Sequence, residues 1–339
     1  MAVSIDPPIL LVLLADGRLR SGEWLAKELA VSRTAVWKGV ERLRGLGVPV
    51  QALPRRGYRL ASPVELLDAQ RIRAAIDPRR LEQLRRFELL FDVDSTNARL
   101  SGQAPPPAGC ADACLSELQH AGRGRRGRRW IAPFGAGLAL SVAWTFRDGA
   151  GSLAALSLAV GVAVARALER VGARGVTLKW PNDIWFEDRK IGGVLIELRA
   201  EAGGPAYVVI GVGVNVALTV EARHEIEAAA TAAAATAAAA IADACGAAPS
   251  RNWVVGAILD ELLSMLVEFE RKGFGAFREA WTELDALFGR PVRVLLADKS
   301  VCGRARGVDR DGALLLETEG GVRRFVSGEA SLRLIEGDN

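Results

Sequence analysis

The chain has 339 residues, a formal net charge of +4 and half its residues hydrophobic, enough for roughly two or three domains with sizeable cores. No apolar run reaches the ~18 residues of a membrane span, and the apolar stretch Ile9–Leu14 lacks a signal peptide's basic n-region and cleavage site. Cys110, Cys114, Cys245 and Cys302 are too scattered for a disulfide framework, and with two histidines the zinc-ligand spacing is not met, so the expectation is a reduced cytoplasmic protein with no metal ligands of its own.

The charge is unevenly placed. Residues 1–62 carry ten Lys/Arg against five Asp/Glu, a local +5, which leaves about −1 for the remainder. A basic N-terminal module points to an anionic partner. A short helix is expected from Gly22 to Leu29. Ser32 can then cap a second helix running from about Arg33 to Leu46. Val36, Val40 and Leu43 fall at helical spacing as its inner stripe, and Gly47 supplies a left-handed C-terminal turn. Arg33, Thr34, Trp37, Lys38 and Arg42 face outward. "VPVQAL" and "YRLA" flank "PRRG" as a hairpin with Arg55 and Arg56 at its tip. The pattern is a winged helix-turn-helix, with Ser32, Arg33, Thr34, Trp37, Lys38, Arg55 and Arg56 as its DNA-contacting set. The alternative for such a unit is a small protein-interaction domain with a solvated basic face. Ser62-Pro63 then reads as a linker.

Leu89–Val93 is a short apolar strand running into "DSTN", Asp94–Asn97. Spacing supports two readings of that cluster equally: a helix N-cap, or a polar pocket for a small ligand. "CLSELQHAGRGRRGRRW" gives a strand followed by a loop with five arginines in seven residues, Arg123–Arg129. Its glycines spell G-x-G-x-x-G, but a dinucleotide fingerprint needs a helix directly afterwards. Here Pro133, Gly135 and Gly137 intervene, and "LALSVAWTF" alternates like a strand. The loop is no Walker A either. Glycines that free the backbone and guanidinium groups that pair with phosphate suit an anion-gripping loop. Leu153–Arg170 is a helix apolar nearly all round, hence buried. "VTLKW" and "GGVLIEL" are strands with "EDRK" turning between them. Asn182 and Asp183 are held stiffly beside Pro181, and Lys190 precedes an apolar strand. "YVVIGVGVNVAL" is a buried strand in which Gly211 and Gly213 leave room for a flat ligand. Alanine-rich sequence between Glu225 and Ala248 favours helix. The last fifty residues read as short alternating strands with a turn at Asp311-Gly312.

Taken together, "DSTN", "GRGRRGRRW", "KWPNDIW", "DRKIGGVLIE", "GVGVN" and "SGEASLR" resemble the bifunctional biotin protein ligases that also repress the biotin operon, and the likeness spans nearly the whole chain. The resemblance implies a winged helix over residues 1–62, an α/β mixed-sheet ligase domain over 63–287 and an SH3-like β-barrel over 288–339. It implies ATP-dependent formation of biotinyl-adenylate, then transfer of biotin to a lysine of a biotin carboxyl carrier protein. Magnesium would accompany ATP, and the adenylate-bound protein would dimerise on operator DNA. Biotin would be bound by Ser95, Thr96, Asn97, Gln119, Gly122, Arg123, Arg125, Lys190, Gly193 and Gly211. The nucleotide side would comprise Arg123, Arg125, Arg128, Trp130, Asn182, Asp183, Lys190, Asn215 and Arg333. On physical grounds Arg125 and Lys190 are the catalytic pair, facing the carboxylate and the α-phosphate. Asn182 and Asp183 either hold the phosphate and magnesium region or orient Lys190. One departure stands out: no aromatic residue lies between Asn215 and Trp253 to stack on adenine, where the family carries a flexible adenine-covering segment. The competing functional classes are a biotin-sensing regulator without ligase chemistry, a lipoate ligase, and a ligase that no longer regulates.

Overall fold

The structure, a computed structural model, describes residues 5–147, 153–200, 204–229, 237–296, 299–326 and 331–334. The N-terminal unit comprises α1 (Pro7–Leu14), α2 (Gly22–Glu28), α3 (Arg33–Gly45) and the hairpin β1 (Val50–Leu53)/β2 (Gly57–Leu60). The apolar run Ile9–Leu14 is thus a core helix. Prolines open it where no helical N–H is needed, and Leu10, Leu11 and Leu14 bury against Val36, Val40 and Leu43. The close approach needs Gly39, where a Cβ would lie 3.0 Å from Leu10 Cδ2. Ser32 caps α3 by accepting from the Ala35 N–H at 3.1 Å, and Gly47 has φ +86°, as the sequence requires. Residues 18–20 dock beside the wing through a two-way backbone pairing of Arg20 with Tyr58.

The central domain is built on a seven-stranded mixed sheet, in order β3 (Leu84–Val93), β4 (Ala111–Gln119), β5 (Gly137–Phe146), β9 (Ala206–Asn215), β8 (Arg189–Ala200), β7 (Asp183–Phe186) and β6 (Val176–Lys179). β3 and β4 are parallel and the remaining neighbours antiparallel. Strand alternation sorts the side chains. Leu138, Leu140, Val142 and Trp144 of β5, with Val208, Ile210, Val212 and Val214 of β9, enter the core under α7 (Leu156–Arg170) and α10 (Arg251–Lys272). Helix α7 is buried on nearly every side, because the sheet covers one face and α10 another. The opposite sheet face carries the short α6 (Thr96–Ser101).

Several elements were not assigned from sequence: α4 (Ala69–Ala74), α5 (Pro78–Leu81), α10 and α11 (Arg278–Glu283). β3 also starts five residues before the apolar stretch Leu89–Val93, because as an edge strand it carries charged Arg85, Arg86 and Glu88. The segment after Pro63 is a pinned connection. Glu65 accepts from Ser250 Oγ, the Arg251 N–H and Asn252 Nδ2 at the start of α10, and Arg251 pairs with Glu117 at 2.9 Å. The alanine-rich stretch is not one helix. Helix α8 (Val220–Ala228) and helix α9 (Ile241–Cys245) flank it. Residues 237–240 between them are extended, since Lys190 takes their backbone in a parallel bridge; residues 230–236 lie outside the described set.

At the C-terminus β10 (Pro291–Leu295), β11 (Ser300–Val308), β12 (Leu314–Thr318), β13 (Gly321–Phe325) and β14 (Ser331–Leu334) form an antiparallel sheet, ordered β13-β12-β11-β10-β14, consistent with the SH3-like expectation. Its core residues Val292, Val294, Leu316 and Phe325 are continuous with the core of the central domain. The Asp311-Gly312 turn docks on it: Trp180 Nε1 donates to the Gly312 carbonyl at 3.1 Å. No described helix is long and apolar enough to cross a membrane.

Candidate active site

The site begins with a patch of small side chains on the α6 face of the sheet. Register places Gly213 between Ala139 and Gly193, and Gly211 between Ser141 and Leu195. A Cβ on Gly211 would lie 2.4 Å from Asn97 Oδ1, and one on Gly213 would lie 2.4 Å from Trp130 Cε2. The glycines therefore seat one side chain from each flanking loop. The N-cap reading of "DSTN" holds, and the same cluster faces a cavity. Ser95 caps α6, accepting from the Ala98 N–H, while Thr96 and Asn97 turn into a buried polar network. The Thr96 N–H donates to Gln119 Oε1 at 3.0 Å. Ser141 Oγ lies 2.5 Å from Asn97 Oδ1 and 2.7 Å from Thr96 Oγ1. Since Asn97 Oδ1 only accepts, Ser141 donates to it, and the Thr96 hydroxyl is left to donate to Ser141 or Gln119. Asn97 Nδ2 donates to Glu197 at 2.9 Å, and Glu197 also faces Arg123 at 3.5 Å.

The arginine loop is a miniature hairpin. Trp130 N–H bonds the Gly122 carbonyl at 2.9 Å, Gly124 N–H bonds the Arg128 carbonyl at 2.7 Å, and Arg126 and Gly127 turn at φ +58° and +70°. A Cβ at Gly122 would lie 2.3 Å from Trp130 O. Its glycine spacing thus serves a tight backbone closure, and no helix of the dinucleotide kind follows.

Lys190 sits inside β8, because the β7–β8 turn is only Glu187-Asp188, both at positive φ. Residues 190 and 193 would face opposite sides of a regular strand. A bulge shifts the register, so that Trp185 opposes Lys190 while Ile184 opposes Gly192. Lys190 Nζ consequently comes within 3.2 Å of a Gly193 Cβ position and pairs with Asp183 Oδ1 at 2.6 Å. Arg125 Nη1 donates to Asn182 Oδ1 at 3.3 Å, and Asn182 Nδ2 donates to the Val194 carbonyl at 2.8 Å. Asn182 follows a cis Trp180-Pro181 bond in the β6–β7 turn.

These groups line a cavity of about 410 Å³, the size of a small-molecule site. Its lining includes Arg123, Arg125, Arg126, Arg128, Arg129 and Lys190 against one carboxylate, Asp183, so it is built for anions. Burial pushes the Asp183 carboxyl up, but Lys190 and Lys179 outweigh it and hold it below its ordinary value. Lys179 is buried, with Nζ 4.3 Å from the Trp185 ring centroid. Burial pushes its ammonium down to about 8. Burial, aided by neighbouring cations, also lowers Arg125 and Arg333, yet guanidinium stays charged.

Of the residues expected from sequence, Ser95, Thr96, Asn97, Gln119, Arg123, Arg125, Arg128, Trp130, Asn182, Asp183, Lys190, Gly193, Gly211 and Asn215 line the cavity. Gly122 lies behind it, closing the loop. Arg333 lies outside the lining but within the field of Asp183, Arg126 and Arg128. Asn215 is buried, its Nδ2 donates to the Ala239 carbonyl, and its Oδ1 has no partner. Sequence reasoning missed Ser141, Lys179, Glu197, Ile226, Ala229 and Ala238. Ser141 left a signal, a hydroxyl in the apolar alternation of "LALSVAWTF"; Ile226, Ala229 and Ala238 left none. On the N-terminal unit Ser32, Arg33, Thr34, Trp37 and Lys38 are exposed along α3, with Arg55 and Arg56 exposed at the wing tip. The Ser32 hydroxyl is engaged in capping.

Comparison with known proteins agrees with this layout. Residues 93–215 match the biotin/lipoate A/B protein ligase family, residues 287–333 the biotin protein ligase C-terminal domain and residues 9–59 a helix-turn-helix domain. The chain is 39% identical to the bifunctional ligase/repressor BirA of Salmonella typhimurium, over 97% of this chain and 98% of that one. It is 38% identical to that of Escherichia coli over the same shares. The solved biotin protein ligase from Aquifex aeolicus in complex with biotin and ATP matches with a TM-score of 0.63 at 29% identity, over 74% of this chain and 100% of that one. With matches to the ligase family, to its C-terminal domain and to a helix-turn-helix domain, and with relatives aligned over 98% of their length, the chain belongs to the family of bifunctional biotin protein ligase/repressors.

Proposed function

We propose that the protein activates biotin with ATP and transfers it to a lysine of a biotin carboxyl carrier protein, and that it represses biotin-synthesis genes through its winged helix. The observation that carries the ligase reading is the convergence of the arginine loop and the re-aimed Lys190 on one cavity floored by small residues. In the first step a biotin carboxylate oxygen attacks the α-phosphorus of ATP and pyrophosphate leaves. Two anions must meet, so Arg125 and Lys190 offset the charge developing on the phosphoryl oxygens. In the second step the carrier lysine amine attacks the acyl carbon, forming the amide C–N bond and releasing AMP. Thr96, Asn97 and Gln119 hold the ureido end of biotin; Trp130, Asn215, Arg128 and Arg333 serve the nucleotide. The orphan Oδ1 of Asn215 is an acceptor suited to an amino group on the base. Asp183 already balances Lys190 and is the cavity's one carboxylate among the described residues. Magnesium would arrive with ATP and would offset charge on its phosphates; Asp183 is the lining carboxylate that would face it. Closing the loop excludes water from the reactive mixed anhydride. Repression would place a homodimer on a two-fold operator, in the cytoplasm.

The test is transfer of labelled biotin to a carrier domain with and without ATP. Lys190→Ala should lower the rate by at least about 100-fold, the scale set by removing one transition-state charge partner. Full transfer by that variant would remove Lys190 from the mechanism. Biotin binding by the wild type with no transfer would favour a sensor-only regulator.

A further inference from the structure

The part of the cavity wall that follows Asn215 in the chain contains no aromatic ring among the described residues; Trp130 is the one aromatic side chain they place in the lining. That part is aliphatic, formed by Ile226 of α8, by Ala229 at the C-terminal cap of that helix and by Ala238 of the extended strap at residues 237–240. The strap is a poor carrier of register. Ala238, Ala239 and Ala240 are all buried, and a slip by one residue would exchange one methyl group for another. Where side chains are this uniform, packing specifies register weakly.

Polar groups supply what the methyl groups lack. Arg223 and Glu227, one turn apart on α8, take both backbone groups of Ala238. Its N–H donates to Glu227 Oε1 at 2.9 Å, and its carbonyl accepts from Arg223 Nη1 at 2.7 Å. The other guanidinium nitrogen, Nη2, reaches Asp243 at 2.7 and 2.9 Å, and Asp243 accepts from the Ala240 N–H at 2.9 Å. The opposite edge of the strap lies on β8. The Lys190 N–H donates to the Ala237 carbonyl at 2.8 Å, and the Ala239 N–H donates to the Lys190 carbonyl at 2.9 Å. Asn215 Nδ2 takes the Ala239 carbonyl at 2.9 Å. The wall is therefore registered on one side to α8 and on the other to the backbone of Lys190.

We infer that Arg223 and Glu227, with Asp243, form a polar latch that sets the register of this strap, making Arg223 and Glu227 positioning residues for the nucleotide. The inference rests on the ligase reading and extends it. The latch holds an aliphatic slot facing the base, and it ties that slot to the lysine that meets the phosphate. Arg223 is suited to the task because one planar fork serves a carbonyl and a carboxylate together. Burial would raise the Asp243 carboxyl, yet its hydrogen bonds from Arg223 and Ala240 hold it below its ordinary value.

Steady-state biotin transfer to a carrier domain tests this, with ATP and biotin varied separately for wild type, Arg223→Met, Glu227→Met and the double variant. The expected result is a KM for ATP raised about 10-fold in Arg223→Met and less in Glu227→Met, with KM for biotin moving less than about 2-fold. The double variant should fall short of the combined effects, because both residues act through Ala238. An unchanged KM for ATP in both single variants overturns the latch, as does an equal rise for both substrates, which would mark general loosening. Glu227→Met, which removes the acceptor for the Ala238 N–H, keeps the test valid if Arg223→Met fails to fold. A wild type that transfers no biotin would instead sink the ligase reading.

Discussion

Asp285 occupies a place where a carboxylate is poorly served. Its Oδ1 accepts from the Leu287 N–H at 2.9 Å, but Oδ2 is buried without a partner. Burial pushes its pKa from 3.8 to about 6, opposed by the backbone N–H groups of Leu287 and Phe288. Between these values the folded state holds a proton that the unfolded state has released. The associated stability is present below about pH 4 and lost as pH rises through about 6. Asp285→Asn should therefore raise stability at pH 7.5 by about 1–3 kcal/mol and give little gain near pH 4. Denaturant titrations at both pH values check it; equal effects at the two would contradict the argument. Lys179 is a second residue of this kind, legible in "VTLKW" only as a strand residue. Its burial and its place beside Asp183 arise from the β6–β7 hairpin.

At the scale of elements, the site depends on strands meeting in register. Gly213 illustrates this. Its own backbone needs no glycine for conformation, but the Trp130 indole occupies the space of its side chain, with Nε1 2.6 Å from a Cβ position. Gly213→Ala should leave the sheet folded, displace the indole and slow biotin transfer by about 10-fold or more, an overpacking cost of roughly 1–3 kcal/mol. Unaltered transfer would show that the Trp130 seat is dispensable. The β8 bulge acts on the same scale. Sequence placed Lys190 beside an apolar strand, but only pairing with β7 turns its side chain to the Gly193 face.

At the scale of the whole molecule, two functions share one chain through a stitched junction. The winged helix is not on a free tether: the Val64 N–H bonds the Ala15 carbonyl at 2.9 Å, and Glu65 is held by the start of α10. The basic face carries the DNA prediction. Arg55 and Arg56 project from the wing tip, suited to phosphate rather than base contact. Substituting either with alanine should weaken duplex binding across sequences and reduce the slope of log K against log salt by about 1. Binding titrations between about 50 and 200 mM salt measure that slope; an unchanged slope would remove the wing tip from the interface.

What the sequence determined by itself was local. The period of α3, its Ser32 cap, the Gly47 turn, the strand alternation of β5, the apolar run of β9 and the spacing of the arginine loop all depend on neighbours a few residues away, so they are legible in a single chain. The motifs also identified most of the cavity's polar lining. Tertiary structure decided the rest. Ser141, Glu197 and Asn97 become one network only when β5, β8 and α6 pack together. The alanine-rich stretch favours helix locally, yet residues 237–240 are extended because Lys190 and α8 satisfy their backbone groups across the fold. A helix propensity of a few tenths of a kcal/mol per residue yields to several long-range hydrogen bonds of about 1 kcal/mol each, and no local pattern announces which residues will supply them.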